Sequence, residues 1–312
     1  MIYKRAELHN HSTESDGTMT VDELIEYGAA CDFGILGITD HNTCSGHQKA
    51  LGENRGLHIV PGVEVTTLFG HILALGHVQM PDWRDLDPRN PEPFFHKLRA
   101  RGAGVIGIAH PFCVSDPIVS GCRCRLNIQD WTAVDYIEVF NTAVEDRFSG
   151  NRDALALWEG LALQGLPIAA LSGKDIHAPS RDRERLTSFI MLEDGEEVSN
   201  DTIFAAIRGQ RVLISRGPLF RAESAGEGKA VLYFDHSSTH QGWNRVWRQV
   251  KPLLEIRADS GEICISTVNW ENETTLELPA GARGIIFKLY EGEAVFENLL
   301  AVGAPFYPGK SL

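Results

Sequence analysis

Between residue 3 and about Arg216, short apolar runs alternate with amphipathic stretches. The strand-like runs are 3–9, 34–39, 58–65, 71–78, 104–109, 136–140 and 167–171. Residues 21–31, 93–101 and 152–164 carry apolar positions at helical spacing between them. Thr20 and Glu23 stand three apart ahead of the first of these, the pattern of a capping box. Gly165-Leu166-Pro167 marks the end of the last. Repeated strand–helix units of this kind predict parallel strands, each covered by a helix. Seven such strands suit a closed barrel or an open doubly wound sheet, and periodicity does not choose between them. Beyond Pro218 the texture changes. Runs at 230–234, 253–258, 262–268, 274–278 and 284–290 are separated by Gly, Asn and Pro with little helical spacing. The expected organisation is an α/β unit over 1–217 and a small all-β appendage over 218–312.

Composition narrows the function. The 312 residues include 42 acidic and 29 Lys or Arg side chains, a formal charge of −13. Hydrophobic residues make up 43% and charged ones 23%, the balance of a soluble globular protein rather than a disordered one. A polyanion would meet net repulsion, which disfavours generic nucleic-acid binding. The first residues lack an apolar signal core, and no apolar run approaches the roughly 20 residues of a membrane span. A cytoplasmic protein is expected, without a membrane partner; nothing in the sequence indicates its oligomeric state. Six cysteines in a chain of this length do not read as a disulfide framework. Cys122-Arg123-Cys124 is too tight for a CxxC motif, and reduced, mostly buried thiols are expected.

The twelve histidines are more telling. In His9-Asn10-His11 the two imidazoles share one face of an extended chain, because side chains at i and i+2 do. Together they can hold one divalent ion, and nitrogen ligands suit Zn, Mn or Fe. Strand-like runs end in Thr39-Asp40-His41-Asn42, Gly62-Val63-Glu64, Ala109-His110-Pro111 and Ser172-Gly173-Lys174-Asp175-Ile176-His177. The fourth opens with Gly70-His71 and closes with Gly76-His77, and the sixth carries Glu138. Parallel strands gather such ends on one face. Any one of these residues alone is an ordinary core histidine or turn carboxylate. So many ionisable groups buried together would be costly without a cation to neutralise them.

As an ordered set, with Ser15-Asp16-Gly17, these motifs resemble those of the PHP (polymerase and histidinol phosphatase) superfamily, over roughly residues 3–216. The resemblance implies a distorted (β/α)7 TIM-like barrel with two or three divalent metals (Mn, Fe or Zn) at its mouth. It is nearest to the stand-alone metal-dependent phosphoesterase branch, which includes carbamate-ester hydrolases. Carried over, one metal is held by His9, His11, Glu64 and Asp175. Glu64 bridges to a second, bound by His110 and a histidine of the fourth strand, His71 ahead of His77. A third takes Asp16, His41 and His177. The family's Gly-Ser-Asp is here Gly173-Lys174-Asp175.

The activity implied is hydrolysis of a small phosphate ester by a metal-bound hydroxide. Asp175 or His177 would pass a proton to the leaving group. Asp40 and Glu138 would orient ligand histidines through their second ring nitrogen. Arg216, Lys174 and Arg123 lead the candidates for gripping substrate phosphate, with Arg125, Arg181 and Arg183 in the same predicted loops. Two other readings stay open: hydrolysis of a non-phosphate ester or carbamate at the same metals, and a non-catalytic PHP-like binding module. Trp243, Trp247 and Trp270 in the appendage read as core packing or a binding surface.

Overall fold

The computed structural model describes residues 1–50, 54–115, 119–141, 150–180, 185–235, 252–268 and 273–309. In chain order the first half runs β1 (Ile2–Glu7), α1 (Val21–Ala30), β2 (Ile35–Ile38), α2 (Gly46–Lys49), β3 (His58–Thr67), β4 (Gly70–Leu75), α3 (Glu92–Ala100), β5 (Val105–Ile108) and β6 (Tyr136–Asn141). Next come α4 (Asn151–Leu163), β7 (Ala169–Gly173), β8 (Thr187–Leu192), α5 (Asn200–Arg208) and β9 (Val212–Ser215). The remainder is strand but for one 3-10 turn at Phe296–Asn298: β10 (Leu219–Ser224), β11 (Lys229–Asp235), β12 (Pro252–Ala258), β13 (Ile263–Thr267), β14 (Thr274–Glu277), β15 (Ile285–Glu291) and β16 (Leu299–Val302) among the described residues. Trp243, Trp247 and Trp270, like Arg181 and Arg183, lie outside the described residues. Among the described residues no helix is long and apolar enough to cross a membrane.

The predicted local signals form as read. Thr20 Oγ1 accepts the Glu23 amide, and the Glu23 carboxylate accepts the Thr20 amide at 2.8 Å, closing the capping box of α1. Val21, Leu24 and Ile25 of α1 then pack with Leu36 and Ile38 of β2.

Strand direction departs from expectation. β1, β2 and β3 are parallel neighbours, as are β5, β6 and β7. β4, however, runs antiparallel to both β3 and β5. Only Leu68 and Phe69 separate β3 from β4, and two residues make a hairpin, never the crossover that a parallel neighbour needs. The expected helix over every strand is therefore absent here. Both faces of the sheet are still covered. Along β4, Ile72 and Ala74 join the cluster that holds Phe94, Phe95 and Trp158 from α3 and α4, while Leu73 and Leu75 join the opposite one.

Past the end of β1, the neighbouring position belongs to the chain that follows β7. Asn10 and Ile176 form a parallel bridge, with His11 N–H donating to Ile176 O at 2.9 Å. On the same edge of β1 proper sits β8, antiparallel. The sheet continues through β9, β16, β15, β12 and β13, so residues beyond 218 extend it without a break at β9 and β16. A smaller sheet holds β10, β11 and β14. Tyr3, Phe189 and Leu213 share one apolar cluster with Phe220, Leu254 and Phe287.

Candidate metal centre

His9 and His11 leave β1 on the same side because Asn10 between them turns away, its amide donating to Glu7 O and Gly37 O. Glu64 lies within β3, fully buried, with its neighbours Val63 and Val65 in the apolar cluster on the other face. His41 follows β2 and bridges the Glu64 backbone. His71 opens β4, directly across from Thr66. His110 follows β5, and Asp175 and His177 follow β7. His110 and Asp175 have positive φ, +26° and +53°. Left-handed backbone is costly for residues with a Cβ and is kept where surroundings over-determine it.

These side chains converge on Glu64. Its Oε2 lies 3.2 Å from His9 Nε2, 3.3 Å from His11 Nε2 and 2.8 Å from His41 Nδ1. Its Oε1 lies 2.9 Å from His71 Nδ1 and 3.2 Å from His110 Nε2. Asp175 Oδ1 is 3.0 Å from His11 Nε2, 3.3 Å from His9 Nε2 and 3.4 Å from His177 Nδ1. Asp16 Oδ1 reaches His177 Nε2 at 3.3 Å and His41 Nε2 at 3.6 Å. Burial grades the cluster: His9, His11 and Glu64 are closed off, whereas Asp16 is 57% exposed. The opening is therefore on the Asp16 side.

Among the described residues, three gatherings offer ligand atoms that all lie within 4.8 Å of one another. One is His9, His11, Glu64 and Asp175. The second is Asp16, His41 and His177, joined by His11. The third is Glu64 and His71 with His41, while His110 faces Glu64 from the other side. His77 is exposed and lines a separate cavity of about 270 Å³ with His47 and His58.

Six buried donor or acceptor atoms of the cluster have no hydrogen-bond partner: His9 Nε2, both ring nitrogens of His11, Glu64 Oε2, His71 Nε2 and Asp175 Oδ1. Each unpaired buried polar atom costs about 1–3 kcal/mol. Nitrogen lone pairs and carboxylate oxygens aimed at one another are the donor set of a divalent metal such as Zn, Mn or Fe. The residues present fit such ions.

Electrostatics agree. Burial disfavours a charged His9, but the carboxylates of Glu138, Glu64 and Asp175 outweigh it and hold its pKa well above the ordinary value. His110 is likewise pushed up to about 9, burial being overcome by Glu64, Asp175 and Glu138. Burial alone would raise Glu64, yet the surrounding imidazoles, His9 foremost, hold it well below the usual range.

A supporting layer fixes the ligands. Glu138, buried on β6, accepts from His9 Nδ1 at 2.9 Å and from the His110 amide at 3.0 Å. Glu7 was not singled out from the sequence, although it lies two before His9 in the same period-two row. Its carboxylate accepts the amides of His9 at 3.2 Å and Lys174 at 3.0 Å, and burial pushes its pKa up to about 7. Thr66 Oγ1, at 2.6 Å from His41 Nδ1, was also unforeseen. No motif marks a lone threonine.

Several expected roles meet a different geometry. Asp40 touches no ligand imidazole. It accepts from Ser12 N–H at 2.7 Å and Ser15 Oγ–H at 2.8 Å, and so holds the turn that presents Asp16. The Lys174 ammonium lies 5.2 Å from the centre of the Phe33 ring, where burial lowers its pKa. Arg123 is exposed, with its guanidinium 5.5 Å from the Phe112 ring. Arg216 follows β9, its amide donating to Leu300 O. The cysteines are free but not mostly buried: only Cys122 is, and Cys264 is exposed.

No family model matches the chain. In sequence it is 32% identical over 105 residues to the 5'-3' exoribonuclease Rnm of Salmonella typhimurium, covering 31% of this chain and 34% of that protein. It is 35% identical over 91 residues to the 3',5'-nucleoside bisphosphate phosphatase of Chromobacterium violaceum, covering 27% and 29%. The chain thus matches only about a third of the length of these relatives. In structure it resembles a two-domain protein of Bacteroides vulgatus containing a predicted PHP-like metal-dependent phosphoesterase. The TM-score is 0.52 at 13% identity, covering 98% of this chain and 95% of the other. The expected resemblance to the PHP superfamily agrees with the PHP-like description of this structural neighbour. The fold is a mixed α/β fold similar to that of PHP-like phosphoesterases.

Proposed function

We propose that this chain is a metal-dependent phosphoesterase that hydrolyses a phosphate ester at the Glu64-centred cluster. The observation that carries the reading is the set of unpaired buried ligand atoms around Glu64 and Asp175. The reading keeps the expected distorted (β/α)7 barrel of β1 to β7, supported by the parallel bridge that brings Ile176, after β7, beside Asn10, after β1. The proposed catalytic unit is residues 1–217 and the β-rich one 218–312, the latter's strands continuing the sheet through β16 beside β9.

His9, His11, Glu64 and Asp175 would hold one ion; Glu64, His71 and His110 a second; Asp16, His41 and His177 a third. Such ions supply acidified water and offset charge on phosphoryl oxygens. The chain's own groups do the rest. Glu138 takes the Nδ1 proton of His9 as a hydrogen bond, leaving Nε2 free to face Glu64. His177 is about one-third exposed and 3.4 Å from Asp175 Oδ1, and this pair is the one that would pass a proton to the leaving group. Arg216 and Arg123 are the candidates for holding the rest of the substrate.

The substrate class is a nucleotide-like phosphoester, supported by the names of the bisphosphate phosphatase and the exoribonuclease. Net negative charge does not exclude an RNA end, since one relative is named for acting on RNA. The test is metal analysis of purified protein, then phosphate or nucleotide release from mononucleotides, bisphosphates, cyclic phosphates, sugar phosphates and short RNA with manganese present. Release from one class is expected. His9→Ala and Asp175→Ala should each lower the rate by about a thousandfold, ~4 kcal/mol of barrier. A protein that holds no metal and is silent on every ester would overturn the proposal.

A further inference from the structure

The unpaired imidazole and carboxylate atoms around Glu64 and Asp175 can each offer a lone pair to a cation. One further buried atom on the same face cannot. Asn141 ends β6 and is 4% exposed, and its Nδ2 has no hydrogen-bond partner among the described residues. An amide nitrogen has two hydrogens to give and no lone pair for a metal. Ions that satisfy the imidazoles would therefore leave it stranded, at a cost.

An irregularity in the strand aims this side chain. The parallel register pairs Tyr136, Ile137 and Glu138 with Ala169, Ala170 and Leu171, then skips Val139 and pairs Phe140 with Ser172 and Asn141 with Gly173. One skipped residue reverses the facing of every side chain after it, and such bulges re-aim side chains beside active sites. Val139 and Phe140 accordingly both join the apolar cluster of Phe94 and Trp158, and Asn141 returns to the face of Glu138. Its partner Gly173 shows what lies on that face, since a Cβ there would meet Glu138 Oε1 and His9 Cβ. Without the bulge Asn141 would point towards the phenylalanines. Its backbone is pinned as well. Asn141 N–H donates to Asn151 Oδ1 at 2.9 Å, and Asn151 Nδ2 donates to Asn141 O at 3.2 Å, with Asn151 itself buried.

We propose that Asn141 holds the substrate, its amide N–H donating to a non-bridging oxygen of the phosphoryl group. It has this role only if the site hydrolyses phosphoesters, as proposed above. An ionised phosphoryl group presents acceptors, and bonds to it are charge-assisted. The neighbouring ligands have little to give it. The carboxylates of Glu64 and Asp175 repel it, and His9 and His110 already direct their Nδ1 atoms at Glu138 and at Cys122 O. A neutral amide supplies the missing donor without repelling metal ions, and a donor fixed in advance needs no reorganisation when charge arrives.

Asn141→Leu keeps the size of the side chain and removes the donor; Asn141→Ala serves if leucine crowds the site. The full chain is titrated with manganese, and the manganese-loaded protein with inorganic phosphate. Phosphate affinity should fall about ten- to a hundredfold, the worth of one hydrogen bond to a charged group. Manganese affinity should stay the same, and the melting temperature of the metal-free protein should not drop, because no unpaired amide remains. Wild-type phosphate affinity in both variants would overturn the role. A parallel loss of manganese would overturn it too, since Asn141 would then support the metal ligands and not the substrate. The phosphoester reading fails by a different result: wild-type protein that takes up manganese, binds no phosphate and releases none from any ester overturns that reading and the role of Asn141 with it.

Discussion

A methyl group at position 173 would sit 1.8 Å from Glu138 Oε1 and 3.0 Å from His9 Cβ. The glycine there leaves room for the carboxylate that sets His9, and no larger residue can. Gly173→Ala should therefore push Glu138 off His9 Nδ1 and the His110 amide while leaving the outer packing intact. Metal affinity should fall by about 10–100-fold, the usual effect of losing an outer partner of a ligand, with far-ultraviolet circular dichroism unchanged. Wild-type affinity in the Gly173→Ala variant would show that Glu138 does not orient the ligand. At this scale much of the site was legible. His9 and His11 stand two apart, and a two-residue period forces them to one face. Glu64, His110 and Asp175 close strand-like runs. Asp40 was legible as a functional position but not in its role, because serine hydroxyls and backbone amides that claim a carboxylate leave no mark in spacing.

Among elements, position was easier to read than direction. The first seven strands lie within one to three residues of their predicted places, since each is a short apolar run bounded by Gly, Pro or Asp. That β4 runs antiparallel could have been suspected from the two-residue gap before it, although apolar period is the same in either direction. β8, β9 and α5 escaped notice; β8 and β9 are buried on both faces and lack alternation. The junction between α4 and the last strands hides a charged network. Lys288 on β15 is 4% exposed, with its Nζ 2.6 Å from Glu159 on α4 and 2.8 Å from Glu255 on β12. Tyr290 O–H donates to Glu255 at 2.8 Å. Removing the ammonium leaves Arg257, 3.3 Å from Glu159 and 3.0 Å from Glu255, as the cation these two carboxylates share, so Lys288→Met should cost about 3 kcal/mol at pH 7 by urea unfolding. The pH dependence has a definite sign. Burial alone would raise Glu255, but Lys288 and Tyr290 outweigh it and hold it below the ordinary 4.5. As pH falls from 4.5 through that lower value the unfolded chain takes up its proton first, so the stabilisation present at pH 7 is lost. The Lys288→Met variant has less to lose there, and the gap between the two proteins should shrink by pH 4. An equal gap at both pH values would mean that the network acts through shape alone.

For the molecule as a whole, the cluster ties distant stretches of chain to one point, from His9 near the start to His177 past β7, and their mutual affinity changes with what fills the centre. Without a metal, protons are the available cations. His110, raised to about 9, holds a proton at pH 7 between the carboxylates, and the same carboxylates push His9 in the same direction. A divalent ion needs the Nε2 lone pair, so its uptake must expel that proton. Affinity should consequently climb as pH rises from 7 and level off above about 9. Calorimetric titration of chelator-stripped protein with manganese, in buffers of differing ionisation enthalpy, should show at least one proton released per ion bound at pH 7. Ligation by chain segments this far apart also acts against unfolding. At a hundred to a thousand times the dissociation constant the gain is about 2.7–4.1 kcal/mol, which for a chain of this size raises Tm by roughly 5–15 °C. Heat release that does not depend on the buffer, together with a melting temperature indifferent to manganese, would mean that the imidazoles around Glu64 are already neutral and that the folded chain does not depend on metal to bring them together.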